Sequence, residues 1–122
     1  MTAVLRALRG ATTLDEDTPD QVNERVQALV SSMLSRNQIS HDDLVSILFT
    51  ATDDVVSLFP ATAARGLGLG DVPLICAREL AITGAMPLCI RVLMHLYTER
   101  PREALHHVNL EGARGLRDDL PE

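Results

Sequence analysis

The chain has 122 residues, 46% of them hydrophobic, which is enough to bury one core and too few to build a second, so a single domain spanning 1–122 is expected. A formal net charge of -6 repels phosphate backbones, and with two Phe, one Tyr and no Trp the chain lacks stacking platforms for single strands, so nucleic acid is a poor partner. No segment approaches the roughly 18 apolar residues that a membrane span needs, and the N-terminal MTAVLRALRG has no long apolar run, so a cytoplasmic protein without membrane contact is expected. Val4 to Gly10, VLRALRG, alternates and stops at a glycine, which predicts a first strand carrying Arg6 and Arg9 on opposite faces. Thr18-Pro19-Asp20-Gln21 then reads as a helix start, with Thr18 as N-cap, Pro19 at the first helical position and Gln21 closing a capping box. Val22, Val26, Leu29, Val30, Met33 and Leu34 recur at helical spacing, giving one apolar face that ends near Asn37.

Ser40 and Asp43 form a second capping signal, and Leu44 to Thr50, LVSILFT, has the content of an interior strand. Pro60 opens a short helix that Gly66 and Gly68 terminate; GLGLG lacks phosphate-loop spacing and follows a helix rather than a strand, so it is read as a helix stop. A third strand is expected near Val72 to Ala77, a fourth from Leu88 to Leu96, a helical turn over Arg102 to Leu105, and a last short strand over His106 to Leu110. Strands separated by helices predict an α+β fold, a mixed sheet with helices packed on one face.

Two charged residues stand inside apolar segments. In LCIRVLMHL, alternation sets Cys89, Arg91, Leu93 and His95 on one face and Ile90, Val92, Met94 and Leu96 on the other. A guanidinium buried there without a partner would cost several kcal/mol. Either a carboxylate such as Glu79 pairs with it structurally, or an anionic ligand does, and both readings stay open at this point. The rest of the chain offers little other chemistry. Cys76 and Cys89 lack CxxC spacing and are expected as reduced buried thiols, no Ser occupies a nucleophile elbow, and the four His show no HxH or HExxH spacing, so neither metal nor cofactor is expected. Arg9, Arg65, Arg91 and Arg117, each near apolar or Gly-rich segments, suit a small polyanion held electrostatically.

The order of these pieces resembles the AroH class of chorismate mutases. The likeness runs through RGATT at Arg9 to Thr13, the acidic turn into DTP, FPAxAxR at Phe59 to Arg65, VPLxCxxE at Val72 to Glu79, CIRV at Cys89 to Val92, HV at His107 to Val108 and LR at Leu116 to Arg117. The resemblance implies a homotrimeric pseudo-α/β-barrel with three active sites between subunits. It also implies the Claisen rearrangement of chorismate to prephenate on the shikimate route to phenylalanine and tyrosine, a pericyclic reaction that uses no cofactor. By residue, it implies Arg91 as the cation at the breaking ether bond, Arg9 on a substrate carboxylate, and Glu79 with Cys76 at the ring hydroxyl. Ile75 would line the site beside Cys76, Phe59 and Ala61 would form an apolar wall, and Arg65, Leu116 and Arg117 would lie near the mouth. Asn109 stands where the family usually has a tyrosine that reaches a substrate carboxylate, and Thr62 where a lysine can occur. Two other functions fit the same scaffold: a non-catalytic trimer that binds small carboxylates, and a pyruvate-eliminating lyase on a related substrate.

Overall fold

A computed structural model of the chain describes residues 2–115. The first strand, β1 (Val4–Thr13), runs three residues past Gly10 and pairs antiparallel along its whole length with β4 (Cys89–Thr98), Val4 opposite Thr98 and Thr13 opposite Cys89. Helix α1 (Pro19–Arg36) starts where the sequence predicts, and Thr18 Oγ1 accepts a hydrogen bond from Gln21 N at 3.2 Å. The reciprocal half of the capping box is absent. Gln21 Oε1 turns back to accept the Glu16 N–H at 3.0 Å and the Asp15 N–H, fixing the acidic turn instead of the Thr18 amide. At its other end the helix stops on Asn37, whose buried side chain donates to Met33 O and His106 O and accepts from His106 N. One side chain thereby caps the helix and pins a segment 69 residues away.

Strand β2 (Leu44–Ala51) follows a 3-10 turn over His41–Asp43, in which Asp43 accepts from the Ser40 N–H at 3.0 Å as the second capping signal requires. Helix α2 (Pro60–Arg65) ends at Gly66, and Gly68 takes a φ of 87 that a side chain would resist. Strand β3 (Leu74–Arg78) begins two residues later than predicted and lies parallel to β2, which pairs antiparallel with β4. The predicted last strand shortens to β5 (Val108–Asn109), parallel to β1, because His106 gives its amide and carbonyl to Asn37 rather than to a neighbouring strand. The sheet order is β3-β2-β4-β1-β5, a mixed sheet as expected.

The period of two then sorts the side chains. Leu8, Ile47, Phe49, Ile90, Val92, Met94 and Leu96 are buried together with the apolar face of α1 and with Ala63 and Ala64 of α2, so both helices cover one face. On the other face stand Leu5, Ile75 and Tyr97, each more than half exposed, along with Leu48, Leu93, Arg9 and Arg91. α1 approaches β1 closely at Gly10, where an added Cβ would overlap Met33 Sδ and press on Leu29 Cδ1. Gly10→Ala is therefore expected to lower stability by about 1–3 kcal/mol through overpacking. Chemical denaturation of Gly10→Ala alone and with Met33→Ala checks the cause, since the shortened side chain should recover part of the loss only if crowding produces it.

Candidate active site

Arg91 reaches the uncovered face because the residues on either side of it in β4, Ile90 and Val92, are buried against the helices. Its register partners are Ala11 on β1 and Thr50 on β2, and the row continues outward to Asn109 on β5 and Ala77 on β3. Residues paired across strands share a face, so Asn109, Ala11, Arg91, Thr50 and Ala77 form one line across the open side of the sheet. Arg9 lies on the same face, opposite Leu93. Its backbone N–H donates to His107 Nδ1 at 2.9 Å, which requires that nitrogen to be unprotonated and puts the neutral ring's proton on Nε2. Ala11, which is buried, contributes only a methyl group between Asn109 and Arg91.

Glu79 lies one residue past β3, where its N–H donates to Ala51 O at 3.0 Å and so continues the alignment of β3 with β2. Its carboxylate accepts a hydrogen bond from Thr50 Oγ1 and approaches Arg91 Nε at 3.6 Å. That separation allows an ion pair but not a hydrogen bond, and Arg91 Nε, although buried, has no hydrogen-bond partner among the described residues. A structural pair closes to about 2.7–2.9 Å, commonly as a two-pronged fork. The observed pair is looser, with side chains 37% and 21% exposed, and leaves donor capacity on the guanidinium. Arg9, Leu48, Thr50, Glu79, Arg91 and Leu93 surround a cavity of about 230 Å³. Cys89 stands two residues from Arg91 on the same strand. Burial pushes its thiol up from the ordinary value, the Arg91 guanidinium opposes this, and Glu79 and Asp54 reinforce it, so the thiol stays protonated at neutral pH.

The remaining sequence-predicted residues fall elsewhere. Cys76 is paired with Phe49 and packs against the core, so its side chain is on the helix-covered face, opposite to that of Arg91. With Phe59, Ala51, Val55 and Arg78 it lines a larger cavity of about 450 Å³. Phe59 is 71% exposed as the N-cap of α2, while Ala61, two residues on, is buried. Arg65, at the exposed end of α2, donates to Thr62 Oγ1 at 3.0 Å. Ile75 lies on the open face, opposite Leu48. Leu116 and Arg117 lie outside the described residues. Within one chain, then, Arg9, Glu79, Arg91 and Asn109 converge on the open side of the sheet, and Phe59 and Cys76 border a different cavity.

Sequence reasoning missed three residues that hold these groups. Thr50 is hidden because its link to Glu79 depends on the β2–β3 register, and His107, although part of the HV motif, carries no sequence signal that its ring nitrogen accepts the Arg9 amide. In the sequence Asp17 is simply part of an acidic turn. Its carboxylate accepts from Val56 N at 3.0 Å, Ser57 N at 3.2 Å and Ser57 Oγ at 2.7 Å, anchoring the segment that leads to Phe59. The Ser57 hydroxyl holds the Asp17 carboxyl below its usual range; partial burial opposes this, and the two backbone amides add to the lowering.

Comparison with known proteins bears directly on this arrangement. Residues 5–120 match the family model described as chorismate mutase type I. A chorismate mutase AroH from Thermus thermophilus is 42% identical over 118 residues, covering 96% of this chain and 97% of the relative. One from Bacillus subtilis (strain 168) is 37% identical over 118 residues, covering 96% and 93%. The solved structure of a chorismate mutase from Clostridium thermocellum superimposes with a TM-score of 0.88 at 39% identity, over 89% of this chain and 97% of that one. This chain belongs to the type I, or AroH-class, chorismate mutase family.

Proposed function

We propose that the protein rearranges chorismate to prephenate, in phenylalanine and tyrosine biosynthesis, by electrostatic stabilisation and conformational restriction. The observation that carries the reading is the row on the open sheet face, where Arg91 keeps an unpartnered Nε beside Arg9 and Glu79. The reaction is unimolecular: the ether C–O bond breaks ahead of C–C bond formation, and negative charge gathers on the ether oxygen. A fixed guanidinium at that oxygen interacts more strongly with the transition state than with the ground state, which is the condition for raising kcat. Arg9 suits a substrate carboxylate, and two cations on one rigid sheet would hold the enolpyruvyl arm over the ring in its reactive conformer. Glu79 would accept from the ring hydroxyl. No proton transfer is needed, so the neutral Cys89 thiol is compatible with the chemistry.

The same reading includes a homotrimer with sites between subunits. A cavity of about 230 Å³ falls below the roughly 300–1,000 Å³ of pockets that enclose small ligands, so one chain's cationic row is an incomplete site. The exposed Leu5, Ile75 and Tyr97 make an apolar face of the kind that a partner covers. Phe59, with Arg65 beyond it, is the complementary half, and contact between unlike surfaces closes into a ring when the rotation allows. Prephenate and chorismate are the small-molecule partners on this reading, and a reducing cytoplasm suits the two free cysteines. Among the described residues no helix is long and apolar enough to cross a membrane.

The decisive assay follows chorismate loss, prephenate gain and pyruvate release together. Stoichiometric prephenate without pyruvate supports a mutase; pyruvate would indicate a lyase, and binding without turnover a carboxylate-binding trimer. Replacing Arg91 with a neutral citrulline-type isostere should lower kcat about a hundredfold or more while ground-state affinity falls much less. A variant that melts far earlier yet converts chorismate at the parent rate when folded would make Arg91 purely structural. Asn109 can donate but is shorter than Tyr, so Asn109→Tyr is expected to lower KM more than it changes kcat, in keeping with a contact made equally in both states. A rise in kcat at constant KM would contradict that assignment.

The pH profile should be flat from about 5 to 9, because arginines stay charged and no general base takes part. At lower pH the Asp17 tether matters. A carboxyl whose folded pKa is depressed contributes stability above its unfolded value, near 3.9, and that contribution is lost as pH falls through the lower folded value. Activity should therefore decline only in acid, and Asp17→Asn should remove the tether's pH dependence without creating a neutral-range limb. A bell-shaped profile centred near pH 7 would require a general base.

A further inference from the structure

Thr50 has one hydroxyl proton, and it is directed at Glu79 Oε2. That same oxygen is the one nearest to Arg91 Nε, at 3.6 Å. Thr50 and Arg91 are register partners on neighbouring strands, and the Glu79 amide is fixed to Ala51 O, the carbonyl of the residue after Thr50. Glu79 thus hangs between a hydroxyl and a guanidinium, both mounted on the rigid centre of the sheet. A carboxylate this close to an arginine gains most by closing into a charge-assisted fork. Here it does not: the hydroxyl occupies it, and Arg91 Nε stays without a hydrogen-bond partner.

We propose that Thr50 is a positioning residue that holds the Glu79 carboxylate off Arg91, so that the guanidinium keeps its charge and donors directed into the cavity. The inference rests on the reading of Arg91 and Glu79 as substrate-contacting groups. Without the hydroxyl, Glu79 rotates the short distance onto Nε, and a bound carboxylate then partly neutralises the cation that must meet the developing charge. The ground state, which carries little charge on the ether oxygen, is affected less than the transition state. The signature is therefore a fall in kcat rather than a rise in KM.

The test is steady-state kinetics on Thr50→Val, Thr50→Ser, Glu79→Gln and the double variant Thr50→Val/Glu79→Gln, with thermal melts on the same samples. Val keeps the shape and strand preference of Thr but has no hydroxyl, so kcat should fall about tenfold with KM within about twofold, the scale of one charge-assisted hydrogen bond. Thr50→Ser should recover most of that loss. The double variant should be no slower than Glu79→Gln, because Thr50 acts through the carboxylate and the two changes are not additive. Wild-type kcat in Thr50→Val, a Ser variant as slow as the Val variant, additive effects in the cycle, or a change confined to KM would each overturn the proposal. If Glu79→Gln itself turns over like the parent, the reading of Glu79 fails first and the Thr50 link falls with it. A crystal structure of Thr50→Val gives a check independent of rate: Glu79 hydrogen-bonded to Arg91 Nε is expected, and an unmoved carboxylate contradicts the mechanism even if Thr50→Val is less stable.

Discussion

A guanidinium in the central strand of a five-stranded sheet can point only one of two ways, and here the choice is made by its neighbours. Ile90, Val92, Met94 and Leu96 are fully or nearly fully buried in the core shared with the helices, so the two-residue period sends Arg91 to the opposite side of the sheet. A one-residue slip of β4 would put Arg91 in the core and four large apolar side chains in water, a change the core could not survive. The cation's position is therefore secured by the whole hydrophobic layer beneath it rather than by its own weak contact with Glu79.

The same constraint divides the molecule into two functional faces. Leu8 on β1 and Ile90, Val92, Met94 and Leu96 on β4 build the core, while Arg9 and Arg91 carry charge on the opposite face, where Leu5 and Tyr97 are left exposed. Cys76, on the covered side, lines a different cavity from Glu79, and that cavity is bordered by Phe59 and edged by the Asp17-tethered segment. The proposed interface site rests on this separation: each chain offers a cationic row on one surface and an apolar rim on another.

The elements visible in the sequence were those fixed locally. The Thr18-Pro19 start of α1, the Gly66 stop of α2 and the face on which Arg91 stands all follow from spacing within a few residues. What could not be read depends on contacts distant in the chain. Asn37 looks like an ordinary helix end but also holds His106, which shortens β5. Thr50 looks like one more strand residue until the β2–β3 register brings it to Glu79, and His107 matters through a ring nitrogen that accepts the Arg9 amide. Glu79 stands out as an acid inside an apolar segment and Arg9 as one of two strand arginines, but periodicity leaves open which of Arg6 and Arg9 shares the face of Arg91. The register settles it, setting Arg9 opposite Leu93 and Arg6 opposite the buried Leu96.

The central claim is that an active site joins the cationic row of one chain to the apolar rim of the next, and subunit mixing tests it most directly. An Arg91→Ala variant and a Phe59→Ala/Arg65→Ala variant are each expected to be nearly inactive alone. After exchange into mixed trimers at equal amounts, about a quarter of the interfaces should combine an intact row with an intact rim, so activity should return to about a quarter of the wild-type level. Mixed trimers that form, as judged by native mass spectrometry, yet remain as inactive as their parents would show that each site is built within a single chain.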